Sequence, residues 1–415
     1  MSDLKTIRGM PDLYNESIEA ISLVEKICTK VFKSFNYQEF RTPIIESKSL
    51  FQRSVGESSD IIQKEVYEFE DRNGELLCLR PEGTAGLVRA LITNGITNDE
   101  IKKFYYLGPM FRYERPQKGR KRQFFQAGVE LIGDNSPKSD VEIISIASAI
   151  LDELDVKTKL EINYLGNSAS LGKYRDYLRD FIAERENQFE ASLFERLNKN
   201  PMRALDSKDD SVKKIISSAK NISEFLNNEE VKIFEETQSL LNEIGINYEV
   251  NKNLVRGMDY YTGTVFEFTV ESLGAQNAVI GGGRYDDLIK ELGGRQLAAT
   301  GFALGIDRLA EVITKRSKPK DLFIGFAEDK AIGYAQKIGN KIRKLNRELV
   351  VENYLGNANV TKQLKKANSQ GFKFVMIIGQ EEQKTGNYRI KNLLLKSLAS
   401  YQKDIVLEKE DILES

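Results

Sequence analysis

The residues best suited to chemistry lie between positions 111 and 130, where positive charge concentrates in a loop between two strand-like segments. Before the loop, strand alternation puts Arg112 and Glu114 on one face, opposite Phe111 and Tyr113. The loop then carries a cluster of cations: Lys118, Arg120, Lys121 and Arg122. Like charges this close repel each other unless an anion is bound, so the loop indicates either a phosphate-facing hairpin or a solvated basic turn.

The strand after the loop repeats this alternation. Side chains suited to binding share one face and apolar ones share the other: Phe124, Gln126 and Glu130 against Phe125, Ala127, Val129 and Leu131. We therefore expect one face of this hairpin to be chemical and the other to be packed.

Two glycine-containing segments could approach a ligand. GGGRYDDL at 281–288 holds consecutive glycines whose N–H groups could form an anion-binding concavity, although such triplets are often only a bulge or turn. GFALGIDRLAEVI at 301–313 predicts a strand that turns into a helix, with Arg308 in the first helical turn. A cation there opposes the helix dipole, which indicates an anionic ligand, with a surface salt bridge as the alternative.

A third segment is LVRGMDYYTG at 254–263, an irregular entry to the predicted strand TGTVFEF. It places four polar or aromatic side chains close together: Arg256, Asp259, Tyr260 and Tyr261. Such groups cost free energy at the start of a core strand unless they are satisfied by a partner. We therefore count them as candidate binding residues.

The composition excludes several mechanisms. The 415 residues contain no histidine, which removes a histidine base, a histidine-activated nucleophile and histidine metal ligands. The two cysteines, Cys28 and Cys78, are far apart and form no CxxC, which predicts two small core residues rather than a zinc site or a disulfide framework. No metal site with protein ligands is assigned.

Targeting signals and charge bound the location and the partners. No N-terminal apolar segment and no long apolar run occurs, so we expect a reduced, cytoplasmic protein that is neither secreted nor membrane-spanning. From Lys315 to the end, 20 Lys and Arg stand against 12 Asp and Glu, a balance of +8 on an otherwise acidic chain. Nucleic acid would explain this basic module, and a solvated surface is the alternative.

The elements that must position these residues follow from hydrophobic periodicity. Helical spacing predicts amphipathic helices over 17–34, 84–93 and 139–155. Asn73-Gly74 between two strand-like runs is a strong hairpin signal, and LEINYLG is a further strand. Successive hairpins, rather than strand-helix-strand crossovers, predict a mostly antiparallel sheet.

Two changes in character divide the chain. Residues 166–245 are charged and helix-rich, which predicts either an inserted helical domain or helices that pack into the main core. After Ile313 the run TKRSKPKD marks a linker, and the strands and helices beyond it predict a compact α/β module with a hairpin at KTGN. We expect a discontinuous domain over 1–165 and 246–316, the insert between its halves, and a C-terminal domain over 320–415.

In the order in which they occur, these segments resemble the histidyl-tRNA synthetases, which are class II aminoacyl-tRNA synthetases. FRTPIIE resembles the first, dimer-forming class II motif, FRYERPQKGRKRQFFQAGVE the second and GFALGIDRL the third. LVRGMDYYTGTVFE resembles the signature that separates histidine enzymes from other class II members, and RPEGT with GGGRYD adds to it. The resemblance implies an α/β (α+β) fold with a class II antiparallel sheet core, and a C-terminal anticodon-binding domain.

The activity that this resemblance implies is ATP-dependent ligation of L-histidine to its tRNA. The histidine carboxylate would attack the α-phosphate of ATP in the presence of Mg²⁺, which gives histidyl-adenylate and pyrophosphate. A tRNA ribose hydroxyl would then take the histidyl group. Positioning and charge stabilisation would carry most of the catalysis, with Arg112 and Arg256 as the catalytic residues at the α-phosphate.

The resemblance also implies binding residues. For ATP they are Arg112, Glu114 at the adenine, Phe124 stacked on it, Arg308 on its other side near the γ-phosphate, and Arg120 at the terminal phosphates. For histidine they are Glu82, Thr84, Arg112, Gln126, Glu130, Arg256, Tyr260 and Tyr261. Arg115 and Gln117 would meet the acceptor end of the tRNA. The expected partners are histidine tRNA, L-histidine and a second copy of the chain as a homodimer, with no membrane and no DNA.

The chain departs from the family at one position, because QFFQ stands where QFHQ is usual. Strand alternation puts Phe125 on the packed face of the hairpin. We therefore expect the implied chemistry to survive this difference.

Other functions fit parts of the pattern. One is a catalytically inactive regulatory subunit of ATP phosphoribosyltransferase, against which the presence of Arg112, Arg256 and Arg308 and of a complete C-terminal module counts. Another is an RNA-binding or kinase-regulatory domain of synthetase descent, which would need no intact ATP residues. A different class II specificity is disfavoured by DYYTGTVFE.

Overall fold

The chain folds as two units, each with a hydrophobic core of its own: Met1–Lys315 and Arg316–Ser415. The computed structural model describes residues 4–56, 59, 61–98, 100–117, 119–313, 320–393 and 404–407. All of the candidate binding and catalytic residues named above lie in the first unit.

The elements of the first unit are numbered here in chain order. Its strands are β1 (Gln38–Glu39), β2 (Ile45–Ser47), β3 (Glu68–Glu70), β4 (Leu76–Leu79), β5 (Lys102–Phe111), β6 (Gln123–Ile132), β7 (Lys159–Tyr164), β8 (Glu249–Val250), β9 (Thr262–Thr269), β10 (Ala278–Arg284) and β11 (Ala299–Gly305). Its helices are α1 (Glu16–Ser34), α2 (Lys48–Val55), α3 (Thr84–Thr93), α4 (Pro137–Glu153), α5 (Ser168–Ala183), α6 (Ala191–Lys199), α7 (Asp210–Ile216), α8 (Asn228–Glu243), α9 (Leu288–Glu291) and α10 (Ile306–Val312).

An eight-stranded sheet in the order β1-β5-β6-β11-β10-β9-β7-β8 organises the first unit. Its central neighbours pair antiparallel, while the short edge strands β1 and β8 pair parallel with the strands beside them. The prediction of a mostly antiparallel sheet is confirmed. The β5–β6 pair is the hairpin that carries the basic loop.

The main core lies between this sheet and the helices α1 and α4. Cys28 and Phe32 of α1 and Ile150 of α4 are fully buried in it. The helical spacing of such residues predicted both helices, and the structure confirms them, together with α3. Cys28 and Cys78 are both buried free thiols, which confirms their prediction as core residues.

A smaller sheet in the order β2-β4-β3 contains the predicted hairpin. Gly74 in its turn has a φ of +83°, a conformation that glycine adopts without strain. Asp71 Oδ1 accepts the backbone N–H groups of Asn73 and Glu75 at 2.8 and 2.9 Å. The Asn-Gly signal is therefore confirmed.

Residues 166–245 form helices of two kinds. Helices α5–α7 and the 3₁₀ turn Pro201–Ala204 enclose a small core of their own, which includes Phe181 and Leu197. Helix α8 instead packs along α4, and its Leu241 is buried in the main core. Each of the two arrangements that the sequence allowed is thus found in one part of the segment, while the exact limits of the insert stay a prediction.

The second unit is an α/β module, as predicted. Its strands are β12 (Lys320–Phe326), β13 (Val351–Asn353), β14 (Phe372–Ile378), β15 (Tyr388–Asn392) and β16 (Asp404–Leu407), and its helices are α11 (Ile332–Leu345), α12 (Val360–Ser369) and α13 (Gln380–Thr385). Strands β13, β12 and β14 run parallel, and β15 and β16 add antiparallel. The strands before and after KTGN do pair antiparallel, as β14 and β15, but the predicted tight turn is wrong. The connection contains helix α13, which ends at Thr385 and is followed by Gly386 with a φ of +74°. Glycine after a helix end gives the same sequence signal as a tight turn.

Glu230 joins the two ends of the helical segment. Its side chain is 4% exposed. One carboxylate oxygen accepts the N–H of Asn167 at 2.7 Å, and the other accepts the N–H of Asn227 and the hydroxyl of Ser170, both at 2.8 Å. These donors belong to the starts of α5 and α8, so one buried carboxylate holds both helix starts together.

We predict that Glu230→Gln lowers the free energy of unfolding by about 1–3 kcal/mol, because the amide nitrogen cannot accept and leaves a buried donor unpaired. Unfolding in urea measures the change. Glu229→Gln, at the exposed neighbour in the same helical turn, is the matched control and should shift the free energy by less than about 0.5 kcal/mol. Equal effects of the two variants would contradict the role given to Glu230.

Candidate active site

A cavity of about 230 Å³ opens between the basic loop and the irregular segment 256–261. Its walls are completed by the start of α3, the start of β10 and the turn from β11 into α10. Strands β5, β6, β11, β10 and β9 are successive neighbours in the sheet, which is why segments distant in the chain meet here. The cavity is therefore the place to look for the predicted site residues.

Most of those residues line the cavity. They are Glu82, Thr84, Arg112, Glu114, Arg120, Phe124, Gln126, Arg256, Tyr260, Tyr261 and Arg308. Glu130 is absent from the wall and lies behind it, where Thr84 Oγ1 donates to its carboxylate at 2.7 Å. Arg115 and Gln117 are exposed in the loop, outside the cavity. The structure thus brings the predicted ATP and histidine residues together and separates the two residues predicted to meet the tRNA.

Backbone carbonyls hold two of the arginines. Arg112 Nε donates to the carbonyl of Pro81 at 2.9 Å, and its guanidinium lies 5.3 Å from the ring centre of Phe124. Arg308 Nε donates to the carbonyl of Gly119 at 3.0 Å, and its Nη1 donates to that of Ala278 at 2.7 Å. Arg308 therefore bridges the basic loop and β10, and its side chain is fixed without a carboxylate partner in these contacts.

The lining is more positive than negative. It contains five cationic side chains and three carboxylates: Arg112, Arg120, Lys121, Arg256 and Arg308 against Glu82, Glu114 and Asp307. Burial lowers the pKa of Arg308, and the neighbouring cation of Arg120 lowers it further. Repulsion between cations in a partly buried cavity favours the binding of an anion.

Arg256 is partly buried, and Gly281 of β10 makes room for it. Burial lowers its pKa, but the ion pair with Glu267 of β9 outweighs this and leaves the pKa above the usual value. A Cβ atom added to Gly281 would lie 1.8 Å from Arg256 Nη2. A larger residue at 281 would therefore displace this guanidinium.

The anion-binding concavity expected at GGGRYDDL is wrong. Residues 281–283 lie inside β10, paired with β9 on one side and β11 on the other, so the strand ladder surrounds their backbone. The glycines do allow other groups to come close to the backbone, as expected, but these groups belong to the protein. The side chain of Arg256 approaches Gly281, and the backbone of β11 approaches Gly282. A strand interior gives the same glycine signal as a ligand-binding loop.

The other end of the cavity is rich in buried carboxylates. Glu82 accepts the N–H groups of Thr84 and Ala85 at 2.6 and 2.8 Å at the start of α3, and burial raises its pKa. Glu130 is 1% exposed and accepts from Thr84 and from Tyr285, and burial raises its pKa to about 8. Both carboxyl groups are thus pre-positioned by fixed donors.

Gln126 adds an unsatisfied polar atom at this end. Its side chain is 8% exposed and lines the cavity. Among the described residues, its Oε1 atom is buried and has no hydrogen-bond partner. A buried acceptor without a partner costs free energy, which a ligand donor in the cavity would recover.

Sequence reasoning missed two tyrosines of this site, Tyr106 and Tyr285. Both are buried beside Glu130, whose charge together with burial raises their pKa values well above the usual one. The ring of Tyr106 occupies the space above Gly83 and Gly128, where an added Cβ would approach it to 2.3 and 2.4 Å. The sequence gives little sign of either role, since Tyr106 lies within β5 and Tyr285 follows β10, and neither adjoins a residue assigned to the site.

Phe125 was predicted on the packed face, and its side chain does pack against the main core. It also borders the cavity, which strand alternation alone did not indicate. Strand β6 begins only two residues earlier, at Gln123, and the backbone N–H of Phe125 donates to Asp307 Oδ2 at 2.5 Å. Lys121 Nζ binds the other oxygen of Asp307 at 2.6 Å, so Asp307 links the loop to α10.

The described residues also bear on metal binding and on membrane spanning. Within the described parts of the chain, no three acidic, cysteine or histidine side chains form a group that could hold a metal ion. None of the helices in those parts is both long enough and apolar enough to cross a bilayer.

Comparison with known proteins gives the family. The family model for histidyl-tRNA synthetase matches residues 9–309, and that for an anticodon-binding domain matches residues 312–405. The chain is 41% identical to a histidine–tRNA ligase of Prochlorococcus marinus strain MIT 9301, over 98% of both chains, and 40% identical to that of Hydrogenovibrio crunogenus, over 94% of this chain and 93% of that one. A crystal structure of apo histidyl-tRNA synthetase from S. aureus superposes with a TM-score of 0.80 at 32% identity, over 99% of each chain. With this site, this sheet and these matches, the chain belongs to the histidyl-tRNA synthetase family.

Proposed function

We propose that this protein ligates L-histidine to its cognate tRNA in an ATP-dependent reaction, through a histidyl-adenylate, with release of pyrophosphate and AMP. The observation that carries the proposal is one cavity whose lining has a cationic end and an end of buried carboxyl, amide and phenol groups. The cationic end suits a triphosphate, and the other end suits a small ligand with several hydrogen-bonding groups. Membership of the family supports the same assignment.

The cationic end is the proposed ATP site. Arg112 and Arg256 act at the α-phosphate, where the pentacoordinate transition state gathers negative charge. Arg308 lies on the opposite side, near the γ-phosphate, and the ring of Phe124 stacks on the adenine. Their fixed side chains support this arrangement, because donors that are already oriented cost little to organise during the reaction.

Glu114 and Arg120 have a double role in this proposal. In the structure, the Glu114 carboxylate pairs with Arg120 at 3.0 Å and lies 3.9 Å from Arg112. We propose that the terminal phosphates replace Glu114 as the anion beside Arg120, and that Glu114 then reads the adenine. A carboxylate that neutralises the site before ATP binds keeps the cations from repelling each other.

The buried polar end is the proposed histidine site. Its residues are Glu82, Thr84, Arg112, Gln126, Glu130, Arg256, Tyr260 and Tyr261. The unpartnered Oε1 of Gln126 supports it, and so does Glu130, which lies behind the wall and fixes the hydroxyl of the cavity-lining Thr84. Selectivity by paired donors and acceptors rejects isosteric amino acids better than an apolar slot does, because the wrong ligand leaves buried groups unpaired.

The chemistry needs no protein nucleophile. In the first step, an oxygen of the histidine carboxylate forms a bond to the α-phosphorus, and the bond to the bridging oxygen of pyrophosphate breaks. In the second step, a terminal ribose hydroxyl of the tRNA attacks the carbonyl carbon of the adenylate, and AMP leaves with the bonding electron pair. The protein orients both partners and stabilises the negative charge.

Magnesium belongs to the substrate in this proposal. The described residues offer no group of three ligands for an ion, and Mg²⁺ is commonly bound through substrate phosphates with few protein ligands. We therefore propose that Mg²⁺ arrives as the complex of ATP.

The tRNA contacts form a separate part of the proposal. The anticodon-binding domain over 312–405 and its basic charge support binding of the anticodon arm. Arg115 and Gln117 are exposed beside the cavity, which supports contact with the acceptor end. We also propose a homodimer in the cytoplasm. The regulatory-subunit alternative is not favoured, because the synthetase and anticodon-binding models together match nearly the whole chain.

The direct test is pyrophosphate exchange into ATP with each of the twenty amino acids, with magnesium and without tRNA. We expect exchange with histidine alone, because only histidine pairs with the buried polar end of the cavity. Arg256→Ala should abolish it, while the exposed Arg179→Ala should retain it. Absence of exchange with any amino acid would remove the proposed function and favour the regulatory-subunit alternative.

A second prediction concerns the glycine beside Arg256. Gly281→Ala should lower the exchange rate by about a hundredfold, since the new methyl group displaces a guanidinium by roughly 1 Å or more. Gly172→Ala, in the helix α5 with open space around it, is the matched control and should keep the wild-type rate. The rate is measured by pyrophosphate exchange at saturating histidine. A Gly281→Ala protein with full activity would remove Arg256 from the reaction.

A third prediction concerns pH. The pKa of Glu130 is raised to about 8, so its carboxyl group is neutral at pH 7 and ionises as the pH rises through 8. The ionised carboxyl accepts the bond from Thr84 Oγ1 better and so orients the hydroxyl of this cavity-lining residue to accept from the substrate. The KM for histidine should therefore fall by about tenfold between about pH 7 and pH 9. In Glu130→Gln the substrate titrates as before but the side chain at 130 does not. The KM for histidine should therefore fall less in this variant over the same pH range. Parallel pH profiles of the two proteins would contradict the placement of Glu130 at the histidine site.

A further inference from the structure

The segment that carries Arg256 has no regular structure of its own. Residues 251–261 lie between the edge strand β8 and the start of β9, outside any helix or strand. A segment without a hydrogen-bond ladder needs contacts from elsewhere to hold a fixed conformation. Asn163 of β7 donates to the carbonyls of Lys252 and Leu254 at 3.2 and 3.0 Å, and the helical segment at 166–245 supplies further contacts.

Apolar packing provides the first contact. Leu254 and Val255 are buried in one cluster with Tyr174 and Leu178 of α5 and with Met202 of the 3₁₀ turn Pro201–Ala204. The residues directly before Arg256 thus pack against the helical segment as well as against Val265 of β9. A movement of α5 or of the turn would move them too.

Hydrogen bonds provide the second contact, on the other side of Arg256. Arg203 Nη2 donates to the carbonyl of Gly257 at 2.7 Å. Asn200 Nδ2 donates to Asp259 Oδ1 at 3.3 Å, and Arg175 Nη2 donates to the carbonyl of Asp259 at 3.4 Å. Of the three, the bond from Arg203 is the shortest, and it is the one on the residue next to Arg256.

We propose that Arg203 is a positioning residue for the adenylate-forming step, and that it acts on Arg256 by fixing the carbonyl of Gly257. Arg203 lies outside the cavity lining, whereas Gly257 and Arg256 are part of it. Its role is therefore to hold the segment and not to contact the substrate. The inference rests on the proposed function, because the step that it affects is the activation of histidine.

The geometry explains why one bond has a large effect. Arg256 enters the sheet beside Gly281, where even a methyl group would displace its guanidinium. A shift of roughly 1 Å at the reacting group costs about a hundredfold in rate, so a small movement of the segment has a large effect. Gly257 lacks a side chain that could hold the segment in place of Arg203.

The test is pyrophosphate exchange with histidine, using Arg203→Met, Arg203→Lys and the control Arg179→Ala. Methionine keeps the aliphatic stem and removes the donors, and lysine restores one charged donor. For Arg203→Met we expect kcat to fall by about 10- to 100-fold, with the KM for ATP changed by less than about twofold. Arg203→Lys should recover part of the loss, and Arg179→Ala, on the exposed surface of α5, should match the wild type.

A double substitution separates positioning from a general loss of stability. If Arg203 acts through Arg256, then in the background Arg256→Lys the further change Arg203→Met should cost less than about twofold. Equal losses in both backgrounds, or a kcat of Arg203→Met within twofold of the wild type, would overturn the proposal.

A measurement that does not depend on catalysis distinguishes a failure of this inference from a failure of the proposed function. Hydrogen exchange of the amides in 254–261 should speed up by at least about tenfold in Arg203→Met and stay unchanged in Arg179→Ala. If the wild type shows no amino-acid activation, the proposed function fails, while this measurement still decides whether Arg203 holds the segment. Unchanged exchange in Arg203→Met would overturn the inference even in an active enzyme.

Discussion

Repulsion among buried cations is the constraint on which the rest of this structure depends. Several arginines converge on one small cavity, and each needs an anchor that does not cancel its charge entirely. Backbone carbonyls hold Arg112 and Arg308, and the carboxylate of Glu267 holds Arg256. The cavity therefore stays positive while its side chains stay fixed, which is the condition for stabilising developing negative charge without reorganisation.

The antiparallel sheet satisfies that constraint because it places five chain segments at one point. Strands β5, β6, β11, β10 and β9 contribute neighbouring ends, so distant residues meet without long loops. The Arg256 segment contributes to the cavity without a strand of its own, and both the helical segment and Asn163 of β7 hold it in place. The candidate site thus combines strand ends with a segment that lacks a hydrogen-bond ladder.

Patterns that depend on local chain geometry were predictable from the sequence, and contacts between side chains were not. Helices α1, α3 and α4 follow from the spacing of their apolar residues, and the β3–β4 hairpin follows from Asn73-Gly74. The glycines of β10 and Gly386 were misread, because a strand interior and a helix end require glycine for the same reasons as a loop. Tyr106 was missed because a tyrosine on a strand is ordinary until its neighbours in space are known.

The pairing of glycines with large side chains has a consequence for how such a chain can diverge. Gly281 faces the guanidinium of Arg256, Gly83 and Gly128 face the ring of Tyr106, and an added Cβ at Gly301 would meet the Glu130 carboxylate at 2.0 Å. Gly281 and Gly83 are required only as long as their large neighbours are present, whereas a Cβ at Gly128 or Gly301 would also approach a backbone carbonyl oxygen, at 2.8 and 2.3 Å. A lineage that no longer needs the reaction would first lose the large side chain, and the glycine could then accumulate substitutions. The packing therefore determines the order in which substitutions become tolerated in a copy of the gene that is no longer under selection.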